Sequence, residues 1–317
     1  MDLWRDILIL LSDKDNISEN NKFKTVCAMG LFDGVHLGHR LVIEKAVRLK
    51  NESGGRLKAA VFTFETSSLT SKGRLEMLLS DEQKRQHIEK LGADYFYSPD
   101  FSMFKDMPAE NFVRLVLKEK LGCAAAVCGA DFSFGRKAEG NVEVLRELGK
   151  KYGIEVYALD KLSVDGTEVS STAIREYIKS GEIGKANALL GYQFGYTQTV
   201  RHGNELGRTW NFPTINQKIP ESSVLPKFGV YCSRVKIGEE TYFGVTNIGI
   251  KPTVQSGLSP LAETYILDFS GDLYGRTVTL YPEYFVRAER KFESFDKLKE
   301  QIAADTEFTA RYYKAEK

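Results

Sequence analysis

Of the four histidines in the chain, two stand three apart in one short run, Met29-Gly30-Leu31-Phe32-Asp33-Gly34-Val35-His36-Leu37-Gly38-His39. Gly30, Gly34 and Gly38 let the backbone approach a ligand closely. A helix opening at about Gly38 adds unpaired N–H groups and partial positive charge, which suit an anion. Imidazoles at His36 and His39 both face such an anion from the helix entrance. As hydrogen-bond donors they would stabilise negative charge building on a phosphorus under attack. Phe32, Asp33, Gly34, His36, Gly38 and His39 are the fixed positions that set this run apart from an ordinary glycine-bearing turn.

Two further runs point the same way. Val169-Ser170-Ser171-Thr172-Ala173-Ile174-Arg175 puts hydroxyls where a helix is capped and an arginine on its first turn, and hydroxyls, helix N–H groups and a guanidinium suit a triphosphate. Gly207-Arg208-Thr209-Trp210-Asn211-Phe212-Pro213-Thr214-Ile215-Asn216 joins a glycine segment to a proline-fixed extended stretch. Period two sets Thr214 and Asn216 on one side of that stretch, and such oxygen ligands suit Mg²⁺ when water and nucleotide phosphates complete its shell. In isolation the first of these runs reads as a capped helix and the second as a turn entering a strand. Neither His87 nor His202 has neighbours that suggest chemistry.

The elements that must position these residues fall into two textures. From Lys24 to about Leu190, short β-rich runs (Thr25–Met29, Leu57–Phe64, Asp94–Tyr97, Ala124–Cys128, Glu155–Leu159) alternate with helical ones such as Pro108–Leu121, which predicts βαβ units and a covered parallel sheet. Beyond Gly191, runs at Phe194–Val200, Gly229–Ile237, Thr241–Ile248, Glu263–Phe269 and Arg276–Tyr281 are punctuated by Gly and Pro, which predicts an antiparallel barrel or sandwich. A last helix capped by Ser294 is expected to bury Phe295, Leu298 and Ile302. The domain division is therefore expected at residues 190/191, in keeping with 317 residues being too many for one core.

With 44 Lys plus Arg against 43 Asp plus Glu, the chain has no overall field to draw it onto nucleic acid or an anionic membrane. The partners expected are small-molecule substrates, with neither nucleic acid nor membrane, and monomer and homo-oligomer stay equally open. The acidic start Met1-Asp2-Leu3-Trp4-Arg5-Asp6 and the short apolar run Ile7–Leu11 are unlike an export signal. Cys27, Cys123, Cys128 and Cys232 form no CxxC and lie in apolar runs, as reduced buried thiols do. A cytoplasmic location is expected.

FDGVHLGH resembles the HxGH signature of class I nucleotidyltransferases, and more narrowly the adenylyltransferase module of bacterial bifunctional riboflavin kinase/FAD synthetases. The resemblance extends over nearly the whole chain, since Pro213-Thr214-Ile215-Asn216, Gly229-Val230-Tyr231, Asn247-Ile248-Gly249-Ile250-Lys251-Pro252-Thr253 and Glu263-Thr264-Tyr265 follow in the order of a riboflavin kinase domain. It implies a Rossmann-like α/β domain followed by a mainly antiparallel β-barrel with a terminal helix. It further implies phosphorylation of riboflavin to FMN and adenylylation of FMN to FAD, with ATP as cosubstrate and Mg²⁺ as cofactor. By the same resemblance Gly30, Phe32, Asp33, Gly34, Gly38, Ser171, Thr172 and Arg175 bind ATP, His36 and His39 are catalytic, Asp131 and Phe132 order the flavin, Thr214 and Asn216 hold the metal, and Glu263 is the catalytic base. Glu263 is expected to open a strand at the barrel mouth. The chain departs from the family where Glu65-Thr66-Ser67-Ser68 replaces an Asp-Pro-His-Pro type sequence, and Asn211 stands where glycine is usual. That first departure motivates an alternative, a monofunctional riboflavin kinase with a degenerate first module. A non-catalytic flavin or nucleotide sensor is the other reading, and a transferase for a different acceptor would explain residues 1–190 alone.

Overall fold

The computed structural model describes residues 8–17, 23–70, 76–201, 214–253 and 257–315. It divides into two compact units, Met1–Ser171 and Thr172–Lys317. The first contains six strands, β1 (Ile9–Leu11), β2 (Lys24–Met29), β3 (Leu57–Phe62), β4 (Tyr95–Tyr97), β5 (Cys123–Gly129) and β6 (Glu155–Leu159), in the all-parallel order β1-β4-β3-β2-β5-β6. The strand ends lie within one or two residues of those expected, except for β1, an edge strand whose Ile9 and Leu10 stay exposed. Near-continuous burial of β2 and β5 reflects helices covering both faces of a parallel sheet.

The covering helices are α1 (Leu37–Glu52), α2 (Asp81–Lys90), α3 (Ala109–Asn111) and α4 (Val142–Tyr152). Helix α3 runs on into a π-helix, Phe112–Lys120, where the sequence predicts an α-helix from Pro108 to Leu121. Phe112, Val113, Val116 and Leu117 are buried together as expected. A small hairpin, β7 (Ser163–Val164) and β8 (Thr167–Glu168), turns through Asp165 and Gly166, both at positive φ. That is the conformation for which Asp-Gly is preferred.

Helices α5 (Ser171–Ser180) and α6 (Ile183–Leu190) fall almost wholly in the second unit. Phe194 N–H donates to Asn187 Oδ1 at 2.8 Å, and Lys227 N–H donates to the Ile178 carbonyl at 3.3 Å, so both helices are tied to the chain that follows them. The packing division thus precedes two helices that the expected division at 190/191 follows.

The second unit is an antiparallel sheet of β9 (Tyr196–Thr199), β10 (Thr214–Lys218), β11 (Gly229–Ile237), β12 (Glu240–Thr253), β13 (Gly257–Ile266) and β14 (Thr277–Arg287), ordered β10-β13-β12-β11-β14-β9. Its edges approach each other. Arg201 N–H donates to the Asn216 carbonyl (2.8 Å) and Gln217 Nε2 donates to the Gln198 carbonyl (3.0 Å), which curls the sheet into a barrel. The β12–β13 hairpin is longer than expected, running to Thr253 and back from Gly257. Pro252 and Pro260 hide this in the sequence, because proline argues against a paired strand.

The terminal helix α7 (Phe295–Ala315) is capped by Ser294, whose Oγ accepts from Lys297 N–H at 3.3 Å. Its seam differs from the expected one. Phe295 is exposed and Leu298 and Ile302 are half-buried, while Asp305, Thr309 and Tyr313 are buried. Polar residues line this seam because each is paired. Arg287 donates to Asp305 with Nη2 at 2.7 Å, Thr309 Oγ1 meets Cys232 Sγ at 3.3 Å, and Tyr313 donates to Glu283 at 2.7 Å while stacking on Phe243.

Candidate active sites

The first site forms where strand order reverses. In the first sheet β2 lies between β3 and β5, so the chain winds one way from β2 to β4 and the other way from β5 to β6. Crevices outside the carboxyl ends of strands at such a switch are where α/β sheets bind ligands. The loop after β2 carries His36 and His39, and the loop after β5 carries Asp131 and Phe132.

The β2 loop is held in an unusual shape. Phe32 (φ 48°) and Val35 (φ 36°) adopt left-handed conformations beside Gly34 (φ 86°). For L residues such conformations cost about 1–3 kcal/mol each and persist only where surroundings over-determine them. Here they do. Phe32, Asp33 and Val35 are buried, Asp33 Oδ1 accepts from Leu78 N–H at 2.9 Å, Ser171 Oγ donates to the Asp33 carbonyl at 2.8 Å, and Thr63 Oγ1 donates to the Leu31 carbonyl at 2.8 Å. Asp33 and Ser171 are thereby brought together as anchors of the loop. Gly30 and Gly38 serve close approach in a specific way. A Cβ at Gly30 would lie 2.9 Å from the Phe32 ring, and one at Gly38 would lie 3.3 Å from the His36 ring.

His36 is the N-cap of α1, and its Nδ1 accepts from His39 N–H at 3.2 Å. That bond leaves Nε2 to carry the proton of the neutral ring. The His36 and His39 rings stack at 3.5 Å between centroids, with the Phe32 edge 5.3 Å from the His39 ring. Burial first, then the neighbouring His36 and Lys84, holds His39 well below the usual imidazole range. His39 Nδ1 is buried with no hydrogen-bond partner. The pair is therefore a stack of neutral imidazoles with one buried nitrogen left open, fit to hydrogen-bond a phosphate without competing charge between the rings. Thr172, exposed, and Arg175, half-buried, follow Ser171 on α5.

Lys84 on α2 was not apparent from the sequence. Its side chain is fully buried, donates to the Phe64 carbonyl at 3.0 Å and lies 3.4 Å from Asp81 Oδ1. Asp81 accepts from both the N–H and the hydroxyl of Thr66. The two residues thus fix the chain leaving β3, the segment Glu65-Thr66-Ser67-Ser68. Burial pushes the Lys84 ammonium below its ordinary range, opposed by Asp81 and Asp33.

Phe132 stacks on Phe134 at 5.7 Å, and Phe134 continues through Phe112 and Phe62 to Phe64 and Phe104. This aromatic wall at the strand ends suits a flat ring ligand. Asp131 is exposed, 3.4 Å from Lys161 Nζ.

The second site is a row across three strands. Asn216 on β10 is directly opposite Glu263 on β13, and Glu263 is directly opposite Asn247 on β12. Directly opposed residues share a face, with Cβ atoms roughly 4.5–5.5 Å apart. Thr214 lies two residues from Asn216 on the same face. Glu263 is mid-strand and half-buried rather than at a strand start, because β13 begins at Gly257. On the opposite face Thr246 and Thr264 share a buried hydroxyl hydrogen bond of 2.9 Å. Asn216 Oδ1 is buried without a partner, the state of an oxygen that awaits a cation or a donor. Residues Gly207 to Pro213, including Asn211, and His202 lie outside the described residues. Arg287, in the run Phe285 to Glu289, is committed to its ion pair with Asp305.

Comparison with known proteins matches two successive stretches of the chain to two families. Residues 18–173 match the family described as FAD synthetase, and residues 190–313 match the family described as riboflavin kinase. The bifunctional riboflavin kinase/FMN adenylyltransferase of Listeria monocytogenes is 36% identical over 293 residues, covering 91% of this chain and 92% of its own. The Escherichia coli K12 protein of the same name is 36% identical over 307 residues, with 94% and 95% covered. Its Bacillus subtilis counterpart is 32% identical over 313 residues, with 96% and 98% covered. A crystal structure from Streptococcus pneumoniae titled as a macrolide-efflux protein superimposes with a TM-score of 0.83 at 28% identity, over 96% of this chain and 99% of that one. Among the described residues no helix is long and apolar enough to cross a membrane.

Proposed function

The chain belongs to the family of bifunctional riboflavin kinase/FMN adenylyltransferases, and from that premise we propose which of its residues carry each step. It phosphorylates riboflavin to FMN with ATP and adenylylates FMN to FAD with a second ATP. We assign the adenylyl transfer to residues 1–190 and the phosphorylation to residues 191–317.

In the phosphorylation, Glu263 takes the proton of the ribityl 5′-hydroxyl as that oxygen attacks the γ-phosphorus of ATP, the bond from that phosphorus to the β,γ-bridging oxygen breaks and ADP leaves. Thr214 and Asn216 are the residues that would hold Mg²⁺. Two oxygen donors on one face, one of them buried and unpartnered, fit a cation that takes its other ligands from water and phosphate. When bound, the ion neutralises phosphate charge and orients the nucleotide.

In the adenylylation, an FMN phosphate oxygen attacks the α-phosphorus and pyrophosphate leaves, with no covalent enzyme intermediate. His36 and His39 hydrogen-bond the charge that develops at the α-phosphate. Thr172 and Arg175 supply the hydroxyl and guanidinium for the β- and γ-phosphates, and Gly30, Gly34 and Gly38 let the loop backbone approach the nucleotide closely. Phe32, Asp33 and Ser171 act by fixing the loop, which their burial and hydrogen bonds support. Asp131 and Phe132 border the flavin, with Phe132 as the outer leaf of the aromatic wall. The cytoplasm is the proposed location, supported by four cysteines that are all free and buried.

The observation that carries the assignment is the stacked histidine pair, with the buried His39 Nδ1 open, at the sheet's switch point. Chromatographic separation of riboflavin, FMN and FAD over time, with Mg²⁺ and ATP, tests it. His36→Ala is expected to stop the sequence at FMN, while Glu263→Ala blocks FMN formation and still converts supplied FMN to FAD. FAD formed at the unaltered rate by His36→Ala would overturn the first assignment, and FMN formed normally by Glu263→Ala the second. FMN without FAD from the unaltered chain would mark a monofunctional kinase.

A further inference from the structure

Asn247 continues the Asn216–Glu263 row onto a third strand, and its carbonyl oxygen is buried with no hydrogen-bond partner. The amide cannot turn that oxygen away freely. Its Nδ2 donates to Glu289 Oε1 at 3.0 Å, and a carboxylate accepts only, so Glu289 fixes which end of the amide faces it. Gly249 makes room for this contact, since a Cβ there would lie 2.4 Å from the Glu289 carboxylate. The result is an oriented, desolvated acceptor directly across the strand from Glu263, on the side away from Asn216.

From this arrangement we infer that Asn247 binds the polyol chain of the flavin, accepting a hydrogen bond from a ribityl hydroxyl near the reacting one, and that Glu289 is its positioning residue. The inference rests on the kinase reading given above. In-line phosphoryl transfer sets the attacking alcohol and the leaving nucleotide on opposite sides of the phosphorus. With the nucleotide and its metal on the Asn216 side and the base in the middle, the alcohol comes from the Asn247 side. An unpartnered buried carbonyl suits a hydroxyl donor, and the isoalloxazine ring supplies none at that end of the molecule. Asn247 thereby selects for a hydroxylated chain rather than for the ring.

Steady-state phosphorylation by the full chain tests this, with lumiflavin, the ring without the ribityl chain, as a competitive probe. Asn247→Ala is expected to raise KM for riboflavin about tenfold, the worth of one good hydrogen bond at about 1.4 kcal/mol per decade, and to leave KM for ATP and the lumiflavin inhibition constant unchanged. Glu289→Ala is expected to raise riboflavin KM less, and the double variant to be no worse than Asn247→Ala alone, because the second residue acts through the first. Gly249→Ala gives an arm that keeps both residues unaltered but displaces the Glu289 carboxylate, and should raise riboflavin KM several-fold. Unchanged riboflavin KM in Asn247→Ala or Gly249→Ala, a parallel rise in KM for ATP, a matching loss of lumiflavin binding, or additive effects in the double variant would each overturn the inference. If the unaltered chain makes no FMN, the kinase reading fails and this inference with it.

Discussion

Burial determines the charge state of the residues that matter most here. His87 shows the consequence on stability most simply. Desolvation, then Lys90 and Arg40, lowers it to about 4, whereas an unfolded histidine titrates near 6.5. The unfolded chain therefore binds a proton that the folded chain refuses. The stability this contributes is complete above pH 6.5 and is lost as pH falls towards about 4, with His39 acting in the same direction. Urea midpoints measured above and within that window should show the loss, and His87→Gln should reduce it. An equal loss in the variant would place the effect elsewhere. Lys84 is the converse case, a cation kept inside by its partners. Lys84→Met should cost roughly 2–3 kcal/mol, below the value for pairs buried at both ends because Asp81 is half exposed. It should also slow adenylylation by loosening the segment after β3, read as a fall in FMN-to-FAD rate with riboflavin phosphorylation intact.

At the scale of elements, backbone conformation separates positions where a left-handed residue is needed from positions where it is merely present. Phe32 and Val35 are buried in the site loop and their φ values are enforced. Lys137, at φ 53° in an exposed turn, is not so held. Lys137→Gly should raise stability by about 0.5–1 kcal/mol in denaturant unfolding, because glycine relieves the left-handed strain, and a destabilised variant would show that Lys137 makes a contact that matters. The parallel strands were legible as β-rich runs between helical ones, and the HxGH loop was legible from residue types alone. Other elements were not. β1 is too short to have a period, and the strands flanking Asp165-Gly166 are two residues each, too short to show alternation around their turn. The placement of Glu263 mid-strand was obscured by Pro252 and Pro260. The α7 seam differs from the hydrophobic spacing because its buried members are an aspartate, a threonine and a tyrosine with partners elsewhere in the chain. Lys84, Asn247 and Glu289 are not legible in the sequence for the same reason, since their contacts are long-range.

For the molecule as a whole, each unit has its own sheet, and the chemistry needs no covalent cross-link to hold it. All four thiols are free and buried, and burial pushes Cys123 up to about 12 and Cys128 to about 11. A disulfide reagent at mildly alkaline pH should leave the native chain unlabelled over a time that labels all four thiols in denaturant, and rapid labelling of the native form would contradict that burial. The hydroxyl pair of Thr246 and Thr264, on the face opposite Glu263, bears on how the barrel is assembled. A slip of β13 by one residue against β12 would turn the side chains of β13 to the other face, sending the Glu263 carboxylate into the core and the Thr264 hydroxyl out of it, away from Thr246. A slip of two would keep the faces and break the hydroxyl pair. Misregistered barrels are thus penalised at the carboxylate proposed as the base and at the hydroxyl pair behind it, so the two faces together proofread the strand alignment of the proposed site.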